Sequence, residues 1–146
     1  MSRYAHATYC DDIRQEVGGK FTLVGVYAGQ VLVPQIPCSL AKFCLALYVS
    51  STRAEPVKSI TVTGAYAGKE VLRMELDETQ IGQIMAPSIA AKPDGKRMTL
   101  ALMGIMSPFE VPQPGRFSLT VMADGEEIHA DGVDISVAPA GTSFSM

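Results

Sequence analysis

The chain has 146 residues, of which 47% are hydrophobic and 18% charged, and its formal net charge is −3. That length suits one domain able to bury a core without disulfide staples, and the balance argues against a phosphate-binding surface, whose affinity comes from clustered Lys and Arg. No apolar run reaches the roughly 18–20 residues of a membrane span.

The opening "MSRYAHATYCDD" lacks the apolar core of a secretory signal, so a cytoplasmic setting is expected (host cytoplasm, if the source is a phage). Three cysteines, Cys10, Cys38 and Cys44, without a CxxC pair point to reduced thiols. With no Trp and scattered aromatics, there is no base-stacking platform; neither nucleic acid nor membrane is an expected partner.

In chain order, strand signals dominate. "KFTLVGVY", Lys20 to Tyr27, alternates Phe21, Leu23, Gly25 and Tyr27 with Thr22, Val24 and Val26; "AGQ" then "VLV" before Pro34 reads as its hairpin return. "KFCLALYVS" puts Phe43, Leu45, Leu47 and Val49 on one side and the barely polar Cys44, Ala46 and Tyr48 on the other. "VKSITVTGAY" and "KEVLRMEL" make a further pair, with Ile60, Val62, Leu72, Met74 and Leu76 facing the core. Between Asp77 and Gly95 the pattern breaks. Ile81, Ile84 and Met85 have helical spacing, but Gly82 and Pro87 predict a crossover with at most a turn or two of helix within 78–90.

"KRMTLALMGIM" is apolar on both faces, Met98, Leu100 and Leu102 against Ala101, Met103 and Ile105, as in a central or interface strand. "PGRFSLTVMADGEEI" alternates Phe117, Leu119 and Val121 with Ser118, Thr120 and Met122, and Asp124-Gly125 supplies a tight turn. "VDISVAP" closes a single domain at 1–138, and 139–146 reads as a flexible tail. Short strands with regular turns predict an all-β antiparallel sandwich of about seven to nine strands, ahead of a small closed barrel.

The start, "ATYCDDIRQEVGGKFTLVGVYAGQVLVPQIP", and the end, Pro114 to Glu127 with its "PGRF" and "DGEE", resemble a family of small bacterial and bacteriophage proteins known only as a domain of unknown function. The resemblance implies an immunoglobulin-like β-sandwich of bacterial or phage source. It implies no catalytic residues.

Cys10-Asp11-Asp12 has the residue types of a nucleophile site, but adjacent carboxylates raise a thiol pKa. His6 shares the strand face of Cys10 at roughly 13 Å, too far to act as its base. A buried cysteine beside a capping aspartate fits better. Glu127, His129 and Asp131 project to one face of an extended strand and are candidate ligands for a divalent metal, set against the reading of a solvated edge strand. Cys38 and Cys44 make a poor zinc pair without further ligands. Met85, Met98, Met103, Met106 and Met122 suit either core filling or a pliable partner surface.

No phosphate loop, GxSxG elbow or HExxH motif occurs, and no cofactor is implied. The strands from Phe43 and from Arg97 carry more apolar faces than one core consumes. The expectation is therefore a non-enzymatic interaction or assembly module, acting through exposed apolar sheet surface on a protein partner or as a homo-oligomer. The alternatives are a phage virion accessory protein, an early phage protein binding a host factor, and a metal-binding sandwich module.

Overall fold

The computed structural model describes residues 3–142. Among them are strands β1 (Tyr4–Gln15), β2 (Phe21–Val26), β3 (Gln30–Val33), β4 (Cys38–Leu40), β5 (Phe43–Thr52), β6 (Ile60–Tyr66) and β7 (Lys69–Leu76). Helix α1 (Glu78–Ala91) follows, then β8 (Arg97–Met106), β9 (Phe109–Val111), β10 (Gly115–Ala123), β11 (Glu126–Ile128) and β12 (Val133–Val137).

Two open sheets face each other. The first has the order β2-β1-β5-β8 and the second β3-β12-β10-β6-β7, with β11 also paired to β10; β4 and β9 form a separate two-stranded piece. Neither main sheet closes on itself, so the fold is a sandwich and not a barrel. Its strands divide between the layers in the immunoglobulin-like manner, β1, β5 and β8 in one sheet and β6, β10 and β12 in the other.

Period-two patterning explains the core. Phe43, Leu45, Leu47 and Val49 of β5 are buried, as are Met98, Leu100 and Leu102 of β8; from the second sheet come Ile60, Val62, Phe117, Leu119, Val121, Val133 and Ile135. Leu72, Met74 and Leu76 pack partly buried against this core. Phe43 sits at the centre of an aromatic cluster, stacked on Tyr9 with centroids 5.7 Å apart and edge-on to Phe117 at 5.5 Å. The Tyr9 hydroxyl escapes burial unpaired by donating to the Asp131 carbonyl at 2.7 Å.

Three local expectations are corrected. The segments "KFTLVGVY" and "VLV" do not pair with each other. β2 returns along β1, from Gln15↔Phe21 to Cys10↔Val26, whereas β3 crosses to the second sheet and lies beside β12. That β3–β12 pair is parallel, so the sandwich is not wholly antiparallel. Within β2, Gly25 has φ of +68°, and a Cβ there would lie 2.2 Å from Asp11 Oδ2. Only glycine permits this left-handed, closely packed position; pairing with β1 continues past it to the Tyr27 amide, and the chain leaves the sheet at Ala28-Gly29, where Gly29 has φ of +93°.

Second, α1 runs for 14 residues straight through Gly82 and Pro87. Its N-terminus carries a complete capping box, with Asp77 Oδ1 accepting from the Gln80 amide and Gln80 Oε1 accepting from the Asp77 amide. Ile81 and Met85, four residues apart, are buried against the sandwich. At the other end Arg53 donates to the Ser88 and Lys92 carbonyls, placing a guanidinium on the negative pole of a helix with no basic residue in its own last turn. Tertiary contacts thus offset the proline and glycine penalties.

Third, β8 is the terminal strand of its sheet, not a central one. The hairpin expected at Asp124-Gly125 is present, with φ of 52° and 80° at the two turn residues. Of the tail, residues 143–146 lie outside the described residues, and Thr142 closes a turn on the Pro139 carbonyl.

Candidate interaction surface

The outer face of the first sheet follows from its register. Cross-strand partners share a face, so Val26, Cys10, Cys44 and Ile105 form one row across all four strands. The next rows are Thr8, Ala46 and Met103, then His6, Tyr48 and Ala101, then Tyr4, Ser50 and Thr99. Because Phe43, Leu45, Leu47 and Val49 fill the core, every second residue of β5 must appear on this outer face.

Its exposure is uneven. Val26 is 55% exposed, Ile105 52% and Val24 42%, while Cys10, Cys44 and Ala46 between them are fully covered. Small residues on the middle strands lie beneath larger neighbours on the flanking ones. The apolar end of the face is edged by the Lys42–Asp12 ion pair at 3.2 Å, and hydrogen bonding to Lys42 holds the Asp12 carboxyl below its usual range. At the opposite end Arg97 stands over the Tyr4 ring, 5.1 Å from its centroid, and donates to Ser50 Oγ. The Ser50 hydroxyl and the Arg97 charge lower the Tyr4 pKa. The face therefore runs from an apolar end to a polar one.

The residues singled out by chemistry separate as follows. Cys10 is buried, and desolvation pushes its thiol up to about 11, reinforced by Cys44, Asp11 and Asp12. Its Sγ donates to the Asp12 carbonyl at 3.4 Å, while His6 Nε2 lies 3.4 Å from Thr8 Oγ1 rather than on the thiol. Asp11 accepts a short hydrogen bond from the Tyr27 hydroxyl. Cys44 is buried opposite Cys10, and Cys38 lies partly buried on β4; all three thiols are free.

Of the proposed metal ligands, His129 Nε2 and Asp131 Oδ1 meet at 2.9 Å. β11 ends at Ile128, so the extended strand that was to align Glu127 with these two stops before reaching them. Among the described residues, no group of three His, Cys, Asp or Glu side chains is close enough to hold a metal ion. Met85, Met98 and Met106 are buried, and Met103 is a half-buried member of the outer face.

Two arrangements carry no sequence signal. Arg53 reaches the carbonyls of α1 from 35 and 39 residues away. His6 and Thr8 of β1 share a cleft of about 410 Å³ with Arg116, Asp131 and Gly132, which the fold alone brings together.

A family model described as a family of unknown function (DUF6941) matches residues 5–136. The chain belongs to that family. The DUF6941 match runs from the second residue of β1 to the penultimate residue of β12, and so takes in the whole sandwich with its outer face. No curated protein and no solved structure matches the chain. Among the described residues, no helix is long and apolar enough to cross a membrane.

Proposed function

We propose that this DUF6941 domain is a non-enzymatic interaction or assembly module, binding a protein partner or a second copy of itself through the outer face of the β2-β1-β5-β8 sheet. One observation carries the reading: Val26 and Ile105, each more than half exposed, bracket the covered Cys10 and Cys44 in a single apolar row. Leaving such surface in water costs about 25 cal/mol per Å², a cost that binding would recover. The Tyr4–Arg97 end supplies the amphipathic side chains favoured at recognition surfaces. A bacterial or phage source accompanies this reading, on the strength of the opening and closing motifs, and a cytoplasmic setting is proposed with it.

The test is the doubly substituted chain Val26→Asp, Ile105→Asp. Sedimentation and affinity capture from a bacterial lysate should show an assembly of the native chain that the variant loses, with a melting temperature within a few degrees of native. A native chain that stays monomeric and captures nothing, or an assembly indifferent to both aspartates, would refute the proposal.

A further inference from the structure

We infer that the first half of β1 is a docking edge for an extended peptide, which would add to the sheet as a strand in line with β2. This inference uses main-chain groups at the sheet edge and is independent of the outer-face reading.

β1 is only half covered on its β2 side. From Cys10 to Gln15 it pairs with β2, and from Tyr4 to Cys10 it pairs with β5 on the opposite side. β2 ends at Val26, and the last bond on that side runs from the Tyr27 amide to the Tyr9 carbonyl at 2.9 Å. In an antiparallel ladder the amide and carbonyl of one residue point the same way and alternate along the strand. Tyr9 faces the β2 side, so Ala7 and Ala5 face it too. Among the described residues, no hydrogen bond reaches the main chain of Ala5 or Ala7 from that side. Two donors and two acceptors are left in the spacing of a strand edge.

This edge lacks the usual protection. Charges along β7, one edge of the second sheet, include Lys69, Glu70, Arg73 and Glu75. Tyr4 to Thr8, "YAHAT", contains no proline and no Lys, Arg, Asp or Glu, and its register with β5 is unbroken. The edge is also the side of a groove. A cleft of about 410 Å³ flanks His6 to Tyr9, with Arg116 and Asp131 to Val133 opposite. A second, of about 260 Å³, flanks Arg3 to Ala5, with Glu126 to His129 opposite. The span from Tyr4 to Thr8 is roughly 13 Å, room for about five residues of an added strand.

Charge selects the occupant. Running antiparallel to β1, as β2 does, a peptide enters beside Thr8 and leaves beside Tyr4. At the exit Arg3 is already neutralised by Asp124 at 2.8 Å, while the exposed carboxylates of Glu126 and Glu127 have no ion-pair partner among the described residues. The fitting ligand is an extended segment of a partner protein, β-branched in its first residues and carrying Lys or Arg at its C-terminal end.

The test selects a random nonapeptide library displayed on phage against the intact chain, then titrates a synthetic peptide of the recovered consensus. Peptides of the stated pattern should slow hydrogen exchange at the Ala5 and Ala7 amides at least tenfold. Ala7→Pro, which removes an edge donor without touching the β5 ladder, should weaken binding at least tenfold at a near-native melting temperature. Should Ala7→Pro fail to fold, Ala5→Pro and the exchange measurement on the native chain decide. Recovery of no binder, a bound peptide that leaves both amides unprotected, or binding abolished by Ile105→Asp yet indifferent to the prolines would overturn the inference.

Discussion

At the β10–β11 turn, Asp124 occupies the left-handed region and its carboxylate also gathers distant chain. It accepts from the Lys58 and Ser59 amides at 3.1 and 2.9 Å and from Arg3 at 2.8 Å. Partial burial pushes its pKa up, but the two amides and the guanidinium outweigh this and hold it below the usual carboxylate range. A carboxyl depressed in the folded state stabilises above its unfolded pKa of about 3.9, and that contribution is lost as pH falls through the folded value. Asp124→Asn keeps a residue tolerant of positive φ and removes the charge. It should cost about 1–2 kcal/mol at neutral pH, shrinking toward zero in acid, as followed by urea denaturation across pH. The neighbouring Gly125, at φ +80°, should give about 1–2 kcal/mol of backbone strain as Gly125→Val in the same assay. Asp-Gly announces its own turn. Nothing local announces that the same aspartate holds Lys58, Ser59 and Arg3.

Among the elements, α1 shows local propensity and tertiary context pulling in opposite directions. Gly82 is exposed, and a Cβ there would meet nothing within 4 Å, so Gly82→Ala should stabilise the chain by about 0.5–1 kcal/mol in chemical denaturation. Removing the remote clamp should do the reverse. Arg53→Ala strips the Ser88 and Lys92 carbonyls of their cation and should cost about 1–3 kcal/mol, with faster amide exchange confined to the end of α1. The helix was legible in the spacing of Ile81, Ile84 and Met85, and illegible in its length. Its C-terminal partner, Arg53, lies just beyond β5, and a chain read in order shows only Gly82 and Pro87. The β2–β3 segment fails for a related reason: two alternating runs joined by "AGQ" satisfy every local hairpin rule, yet β2 finds its partner in β1 and β3 in β12 near the other end of the chain.

On the scale of the whole molecule, one sheet face contains both tolerant and intolerant positions. Ile105 and Cys44 are cross-strand neighbours on the outer face, the first 52% exposed and the second fully covered. Ile105→Asp should therefore shift the melting temperature by no more than a few degrees, whereas Cys44→Asp buries a charge without a partner and should cost several kcal/mol or prevent folding. Calorimetry on the two variants distinguishes a surface row from a core row. Alternation showed that β5 and β8 have two apolar faces. It could not show which members of the outer face are covered, because that depends on side-chain size on the flanking strands.

The sequence by itself determined most of the longer strands and their alternating faces, the Asp124-Gly125 turn and the sandwich class, because period-two hydrophobicity and turn chemistry act between near neighbours. Only the tertiary structure decided the course of β2 and β3, the survival of α1, the covering of Cys10 and Cys44, and the half-open edge of β1. Each of these depends on what stands opposite a residue once two sheets have closed, and contacts made across dozens of residues leave no period in the chain to be read.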